Sequence, residues 1–355
     1  DIYNFIGNTQ LEYTTHFLPQ LKFNLNVGLD YSKSEGSKWI SEFSPSDYIY
    51  GGLNSNWAQQ RRNSNLDFFA QYVKDFEFLK SQLDVTGGYS WQHYYRDGEN
   101  TGYRISRYDS FGNPLLINTN NYASEHYIVS FFGRLNYSIN DKYLLTFTLR
   151  EDGSSRFHKD NRWAMFPSAA FAWKINKDLF KESTVVNDLK LRLGWGITGQ
   201  QDINQGDYPY LGTYEHSIGD AANYLRGYNN GVPVWVSLLR PAAYNPDLKW
   251  ESTETYNAGL DFSILNNRLE GGVDIYFRKT EDLINAETKV PAGTNFREYV
   301  AANIGSLENR GIEFSLNTKP IVTKDFTWEI GGNIAYNENE ITSLSYGENK
   351  QSIRR

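Results

Sequence analysis

The chain has 355 residues, a net charge of −7 and no cysteine, which excludes a disulfide scaffold, a thiol nucleophile and a cysteine-based zinc site. A sequence pI of about 5.4 gives no basic surface for nucleic acid. No apolar run approaches the roughly 20 residues of a membrane-spanning helix. Aromatic residues make up 16% of the chain, with 26 tyrosines and 21 phenylalanines, and this composition favours strands over long helices.

In chain order, the first clear element is LKFNLNVGLDYS at 21–32, in which apolar and polar side chains alternate. Such alternation predicts a strand with one apolar and one polar face. The pattern recurs at 81–92, 127–139, 143–152, 189–198, 255–264, 269–277, 311–317 and 326–337. We predict roughly twelve strands, many of about ten residues, which is longer than the ~5–6 residues of ordinary globular sheets.

The predicted connections alternate in length. Short ones lie at 18–20, 74–78, 140–142, 266–268 and 322–325, and long ones at about 34–63, 96–124, 200–248 and 282–307. The segment 176–187 belongs to the short set and is expected to hold a helical turn. If the strands run up and down, tight turns lie at one end and long loops at the other, as in outer-membrane barrels. The pattern therefore favours an all-β, antiparallel, up-and-down transmembrane β-barrel over a soluble sandwich.

Charged residues on the polar faces predict a water-filled or plugged lumen, because a wide barrel leaves space inside. The predicted lumen-lining residues are Arg134, Arg150, Arg192, Asp274 and Arg278. Aromatic residues near the strand ends suit the girdles at two membrane interfaces, and the alternative is that they cap a soluble core. Examples are Tyr143, Trp173, Trp250 and Trp328.

Signatures of catalysis and metal binding are weak. The five histidines include no close pair at ligand spacing, and GITGQQD at 196–202 lacks the Lys-Ser/Thr of a phosphate loop. Adjacent carboxylates such as Glu151 and Asp152 point to opposite faces of a strand, so they do not converge on one bond. We predict no catalytic residue, no cofactor and no metal site, and therefore a protein that is not an enzyme.

The long connections carry aromatic residues interleaved with Asn and Gly. Aromatic faces with amide and hydroxyl neighbours suit stacking on sugar rings or gripping extended peptides. The alternative is that these rings pack the loops together or contact a partner protein. The candidate substrate or partner contacts are Trp57, Tyr95, Tyr208, Tyr210, Tyr214, Tyr224, Trp235 and Tyr244.

Four stretches carry a specific resemblance. They are LREDGSSRFHKDNRWAMFPSAAFAWKI at 149–175, LKLRLGWGITGQQDI at 189–203, NPDLKWESTETYNAGLDFSILNNRLEGGVDIYFRKTEDLI at 245–284 and ANIGSLENRGIEFSL at 302–316. In order and spacing they resemble the SusC/RagA-type TonB-linked transporters. The first 120 residues fit as earlier barrel strands without a motif of their own.

Within DGSSRF, Asp152 and Gly153 are expected to end a long strand in a compact turn. Arg150 and Arg156 are expected to pair with Asp152 or Asp160. These roles are structural, so we assign the motif to barrel architecture rather than to chemistry.

The resemblance implies a barrel of about 22 strands, of which residues 1–355 form part, with an N-terminal plug domain and C-terminal closing strands outside this sequence. It further implies an importer in the cell outer membrane of a Gram-negative bacterium, with a SusD-like lipoprotein over the extracellular loops and with TonB acting through the plug. The barrel would contact outer-membrane lipid, and the substrate would be an oligosaccharide or an oligopeptide.

Two alternatives remain open on the residues alone. One is a passive porin-like or adhesin outer-membrane barrel, which would lack a plug and a TonB box. The other is a soluble secreted glycan-binding β protein, whose apolar strand faces would pack against each other.

Overall fold

A computed structural model of the chain describes residues 1–108, 112–202, 206–216, 223–229, 231–237, 239–290 and 299–344. The chain forms two compact units. The first unit comprises residues 1–71 and 87–131, and the second comprises residues 72–86 and 132–355.

The described residues form eighteen strands and one short α-helix. The first eight strands are β1 Ile2–Thr14, β2 Leu21–Ile40, β3 Leu53–Phe76, β4 Ser81–Tyr108, β5 Pro114–Ile139, β6 Tyr143–Ser154, β7 Trp163–Lys174 and β8 Val186–Gln200. The others are β9 Tyr214–His216, β10 Asn223–Asn229, β11 Val232–Ser237, β12 Leu239–Pro241, β13 Glu251–Ile264, β14 Leu269–Glu281, β15 Ile284–Lys289, β16 Tyr299–Asn303, β17 Ser306–Val322 and β18 Thr327–Ser343. The helix α1 spans Asn176–Leu179, inside the segment where a helical turn is expected.

Twelve of these strands make one sheet in the order β1-β2-β3-β4-β5-β6-β7-β8-β13-β14-β17-β18. Every pairing in it whose register is described is antiparallel. Neighbours in the sheet follow each other along the chain, apart from the small two-stranded sheets in the connections. The prediction of about twelve antiparallel, up-and-down strands is therefore confirmed.

The register of the sheet places apolar residues opposite apolar residues on neighbouring strands. Leu11 lies opposite Leu25, and Ala258 lies opposite Ile275. A slip of one residue would turn every apolar side chain to the polar face, so the alternation read from the sequence also fixes the pairing.

The connection between β5 and β6 is a three-residue turn at 140–142. Asn140 and Asp141 both have positive φ, 53° and 51°. This left-handed geometry suits the twist of a tight hairpin, and Asn and Asp tolerate it better than most residues. The connection between β13 and β14 has positive φ at Leu265, Asn266 and Asn267.

The strands continue further into two of the predicted long loops than the sequence indicated. β2 reaches Ile40 and β3 starts at Leu53, so much of 34–63 is strand. β4 reaches Tyr108 and β5 starts at Pro114, so the same holds for 96–124. The strands were predicted from the alternation of apolar and polar residues. A hairpin with both faces in water keeps its backbone hydrogen bonds but shows no such alternation, so its strands are not predicted.

The apolar faces of the main sheet pack against little protein. Phe147, Ile275 and Ile334 are 51%, 55% and 70% exposed. Buried hydrophobic residues in the described ranges are few, and they are Phe157, Phe166, Leu248, Trp250, Ala301 and Ala302. A soluble sandwich would bury its apolar faces between two sheets, so this exposure contradicts the sandwich alternative.

Candidate functional site

The buried residues of the second unit gather where its longer connections meet. We call Phe157, Phe166, Leu248, Trp250 and Ala301 the loop cluster. Trp250 contacts the rings of Phe157 and Phe166, with centroids 5.4 and 5.5 Å away. Three connections, 155–162, 201–250 and 282–305, are therefore tied together by a small apolar core.

Hydrogen bonds from side chain to backbone reinforce the loop cluster. The Trp250 indole donates from Nε1 to the carbonyl of Arg162 at 2.8 Å. The buried Asn245 donates from Nδ2 to the carbonyl of Ala301 at 2.9 Å. Such bonds from side chain to backbone set the positions of the loops relative to one another.

Asn303 joins two more backbone segments. Its Nδ2 donates to the carbonyls of Lys249 and Asp282 at 2.9 and 2.8 Å, and its Oδ1 accepts from the Lys249 N–H at 2.9 Å. One amide side chain therefore fastens the residues before β13 to the residues after β14. Sequence reasoning missed this role, although NPDLKW at 245–250 and ANIG at 302–305 are both in stretches that carry the family resemblance.

Arg156, from the DGSSRF motif, lies over the start of the long connection after β8. Its Nε donates to Oδ1 of the buried Asp207 at 3.1 Å, and its Nη1 donates to Oδ1 of Asp202 at 3.3 Å. The expected partner Asp160 instead lies near His158, at 3.1 Å. Sequence proximity suggested Asp160, whereas the fold brings a residue 51 positions away under the guanidinium.

Arg150 behaves as expected. Its Nε donates to both carboxylate oxygens of Asp152 at 2.7 and 3.0 Å, and its guanidinium lies 6.0 Å from the ring centroid of Phe132. The two residues are on the same face of β6, because they are two positions apart.

The aromatic candidates of the connection 201–250 separate into groups. Tyr208 and Tyr210 meet edge to face at 6.2 Å, and Tyr210 also meets His158 at 5.9 Å. Tyr214 and Tyr244 are 72% and 53% exposed. The connection 201–250 therefore carries partly exposed rings and also contributes Leu248 and Trp250 to the buried loop cluster, an arrangement suited to stacking on a ligand or a partner.

Other candidates lie elsewhere. Tyr224 is exposed on the β10–β11 hairpin, and the side chain of Trp235 lies outside the described residues. Trp57 and Tyr95 belong to the first unit, where they lie on strands rather than in loops. The Tyr95 hydroxyl is 3.4 Å from Asp97, and the Arg62 guanidinium lies 5.3 Å from the Tyr95 ring centroid.

The polar face of the second unit carries a charged group that spans three strands. Arg192 on β8 donates to Asp261 on β13 at 2.8 and 2.7 Å, and to Asp274 on β14 at 3.0 Å. Gly259 lies opposite both Arg192 and Asp274 in register. A Cβ at Gly259 would come within 2.7 Å of Nη2 of Arg192 and even closer to Oδ1 of Asp274, so a larger residue there would force these two side chains to shift.

The remaining predicted lumen residues lie on strands of the same sheet. Arg134 is exposed on β5. Arg278 on β14 lies 5.0 Å from the ring centroid of Tyr276, two positions away on the same face.

Near the strand ends that lead into the long connections, aromatic residues of the apolar face make polar contacts. Trp195 donates from Nε1, and Tyr256 from its hydroxyl, to Oε1 of Glu254, at 2.8 and 2.6 Å. Rings with an apolar body and a bonded polar tip are typical of the interface between hydrocarbon and water.

At the opposite strand ends, two carboxylates hold the tight turns. Asp141 accepts from Lys174 at 2.7 Å and also from Lys177, and these hydrogen bonds lower the Asp141 pKa to about 2. Asp178 on α1 accepts from Lys142 at 2.5 Å and from Tyr143, which lowers the Asp178 pKa to about 2. Both carboxylates therefore stay ionised at neutral pH.

The described ranges hold neither a cluster of metal-binding side chains nor a long apolar helix. They contain no group of three or more His, Cys, Asp or Glu side chains placed to hold a metal ion. The same part of the chain has no helix with the length and apolar character to cross a bilayer.

The family described as "TonB dependent receptor-like, beta-barrel" matches residues 2–352. The chain is 45% identical over 347 residues to the TonB-dependent receptor SusC of Bacteroides thetaiotaomicron, covering 97% of this chain and 34% of that protein. It is 33% identical over 344 residues to the TonB-dependent receptor P3 of Formosa agariphila, covering 94% and 32%. The chain spans about a third of the length of the curated relatives it matches.

Solved structures share the fold. The RagAB peptide importer in its closed-closed state matches with a TM-score of 0.81 at 24% identity, covering 99% of this chain and 38% of that chain. The ferric citrate transporter FecA in its unliganded form matches with a TM-score of 0.56 at 10% identity, covering 96% and 43%. The twelve-stranded sheet is thus a stretch of barrel wall, and the chain belongs to the TonB-dependent receptor β-barrel family of the Gram-negative outer membrane.

Proposed function

We propose that the full-length protein is a TonB-dependent importer that carries oligosaccharides or oligopeptides across the outer membrane. The observation that carries this proposal is the 45% identity to a TonB-dependent receptor along nearly the whole chain. A sheet with one exposed apolar face and one charged face suits a wall between lipid and an aqueous lumen. Import needs no covalent step from this chain.

The polar face supports a lumen that is too wide for side chains to fill. Arg192, Asp261 and Asp274 bond to one another along the wall, across strands, and their side chains stay 31%, 37% and 36% exposed. In a barrel of about 22 strands that space takes a plug. We propose that TonB acts through such a plug, supplied by the part of the protein outside this chain.

We further propose that a SusD-like surface lipoprotein covers the loop end of the barrel. The support is the connection 201–250, which contributes Leu248 and Trp250 to the loop cluster and carries Tyr208, Tyr214 and Tyr244 with exposed rings. Exposed aromatic surfaces of this kind favour protein partners or large ligands.

The rival is a passive porin-like or adhesin barrel, and energy dependence separates it from the importer. Uptake of labelled oligosaccharides and oligopeptides is measured in cells that carry the full-length protein, with TonB intact or deleted. We expect uptake of one substrate class to fall to background without TonB. Uptake that persists without TonB would identify a passive pore, and an absence of uptake with retained surface adhesion would identify an adhesin.

The lipoprotein proposal has its own test. A photo-crosslinking residue replaces Tyr214, and a second replaces the lipid-facing Ile275 as a matched control. We expect the Tyr214 probe to capture a lipid-anchored surface protein and the Ile275 probe to capture none. Equal capture at both positions, or none at Tyr214, would contradict the assignment.

A further inference from the structure

Two neighbouring turns at the short-turn end of the second unit expose apolar side chains that none of the roles above explains. Between β7 and β8, Leu179, Phe180 and Val185 are 67%, 39% and 49% exposed. Between β13 and β14, Leu265 is 51% exposed. Turns in water are usually built from small and polar residues. We call Leu179, Phe180, Val185 and Leu265 the turn patch.

Hydrogen bonds to the backbone hold the two turns side by side. The Leu265 N–H donates to the carbonyl of Val185 at 2.8 Å. The Asn267 N–H donates to Oδ1 of Asn187 at 3.2 Å, and Nδ2 of Asn176 donates to the carbonyl of Asn187 at 2.9 Å. The turn patch is therefore one surface with a defined arrangement.

The helix α1 lies on the lipid side of the strand ends. Tyr143 is on the same apolar face of β6 as Phe147, because the two residues are four positions apart. The Tyr143 hydroxyl donates to Oδ2 of Asp178 on α1, and Lys142 donates to Oδ1 of Asp178 at 2.5 Å. The Tyr143 ring also stacks on Trp173, which lies opposite it in register, with centroids 6.2 Å apart. The segment that carries Leu179 therefore borders the face that lipid covers, and not the lumen.

The backbone at Leu265 disfavours the residue that occupies it. Leu265 has a φ of 57°, and Asn266 and Asn267 follow with φ of 57° and 60°. Asn tolerates this left-handed region, whereas a bulky residue such as Leu is rare in it. The exposed Leu265 side chain does not offset that cost by packing inside the protein, so contact with another phase would explain it.

Charged residues of both signs lie beside the apolar ones. Lys177 and Lys181 flank Leu179 and Phe180 in the sequence, and Glu182 follows. A lysine can lay its methylene stem along an apolar surface and place its ammonium among phosphates. Apolar side chains between such charges match the headgroup region of a phospholipid leaflet, where phosphates and amines lie above the acyl chains.

We propose that the turn patch inserts into the headgroup region of the periplasmic leaflet and fixes the depth of this part of the wall. Its ligand class is the phospholipid, and the leaflet follows from the short turns, which lie on the periplasmic side of outer-membrane barrels. The plug proposed above would fill the lumen, and the lipoprotein would cover the loop end, so neither occupies this surface. The inference requires an outer-membrane barrel and does not rest on import.

The test measures the membrane depth of a nitroxide spin label on the full-length protein in vesicles of phosphatidylethanolamine and phosphatidylglycerol. The label is attached to Leu179→Cys and, in a separate variant, to Val185→Cys. This chain has no cysteine of its own, and any cysteine elsewhere in the protein is first replaced by serine. Depth is read from the collision rate with oxygen, which concentrates in lipid, relative to the collision rate with a water-soluble nickel chelate.

Two further labelled positions calibrate the depth scale. Ile275→Cys, on the apolar face, marks the hydrocarbon, and Lys159→Cys, in the exposed connection 155–162, marks water. We expect the ratio of oxygen to chelate collisions at positions 179 and 185 to exceed the ratio at 159 several-fold and to stay below the ratio at 275.

A second experiment separates insertion from turn geometry. Leu265→Asn introduces a residue that tolerates the left-handed backbone and removes an apolar side chain from the turn patch. We expect the label at Val185→Cys to move towards water, with a several-fold fall in the collision ratio. Phe326→Asn, at an exposed apolar residue of another short turn, is the matched control and should leave that label unchanged.

Labels at positions 179 and 185 that match the label at 159 would overturn the inference. Measurements in native outer-membrane vesicles address a protein partner. Labels that are water-exposed in phospholipid vesicles but shielded from both reagents in native vesicles would assign the turn patch to a periplasmic protein and overturn the lipid contact. An unchanged label depth in Leu265→Asn would remove Leu265 from the inserted surface.

Discussion

On the polar face, the contacts that a residue makes with neighbouring strands can outweigh its own propensity to form a strand. Gly259 is a poor strand former, yet it occupies the middle of β13. Its missing side chain lets Arg192 bond both Asp261 and Asp274. The cost of a glycine in a strand is offset by three charge-assisted hydrogen bonds on a partly exposed wall.

Replacing Gly259 tests this account. Gly259→Ala places a methyl group against the guanidinium of Arg192, so the bond to Asp274 should break. We expect a loss of about 1–3 kcal/mol in unfolding free energy, measured by denaturant unfolding of the full-length protein in detergent. The control is Gly332→Ala on β18, where no atom lies within 4 Å of the added Cβ, and it should be neutral. Equal effects of the two changes would contradict the crossing role of Gly259.

Lowering the pH should protonate Asp141 and Asp178 and break their ion pairs with the neighbouring lysines. Their pKa values of about 2 lie below the ordinary value of 3.8, so their stabilising contribution is complete above pH 4 and is lost as the pH falls towards 2. We expect the protection factors of the amides in α1 and the β5–β6 turn, which are exchange rates corrected for the intrinsic rate at each pH, to fall across that window. Asp178→Asn should flatten the pH dependence at α1. Protection factors that stay constant from pH 5 to 2 in the wild type would contradict the assignment.

At the scale of elements, the long connections are held by a few buried contacts rather than by regular structure. Asn303 bonds three backbone groups that belong to two different connections. Removing one partner from such a set leaves carbonyls without donors, and that penalty exceeds the net value of the bonds.

Asn303→Ala should therefore loosen the loops without disturbing the strands. We expect cleavage within 201–250 by a soluble protease to rise several-fold on intact cells, for a local destabilisation of about 1–3 kcal/mol. Asn56→Ala, at an exposed amide on β3, serves as the control and should leave cleavage unchanged. Unchanged cleavage in Asn303→Ala would show that the loop cluster holds the connections without this side chain.

At the scale of the whole molecule, the decisive property is which medium each sheet face meets. The apolar faces are exposed in the chain itself, and membership of an outer-membrane family supplies the lipid that covers them. Hydrocarbon makes no hydrogen bonds, so a charge on that face is costly, whereas the polar face tolerates one.

A pair of arginine substitutions on β17 measures this difference. Ile312→Arg introduces a charge on the apolar face, and Ser315→Arg introduces the same charge on the polar face of the same strand. We expect Ile312→Arg to cost about 2–4 kcal/mol and to reduce the amount of full-length protein in the outer membrane. Ser315→Arg should insert normally. Similar insertion of both variants would contradict the assignment of one face to lipid and the other to water.

Much of the architecture was readable from the sequence, for a physical reason. Alternation, strand length and the unequal connections are local properties of the chain, and they record which side chains meet water. They predicted the antiparallel strands, the tight turn at 140–142 and the helical turn near 176. They did not predict the strand extensions into 34–63 and 96–124, where both faces are polar and no alternation exists to be read.

The contacts of the candidate sites were decided only by the tertiary structure. Arg156 bonds Asp207 rather than Asp160, Asn303 joins segments 54 residues apart, and the Leu265 N–H bonds the carbonyl of Val185. Each pairing depends on which strands lie side by side and in which register. The sequence by itself determined which face of each strand is apolar and which is polar, because successive side chains of a strand point to opposite faces. Only the folded sheet determined partners, because distance in space is not encoded in local order.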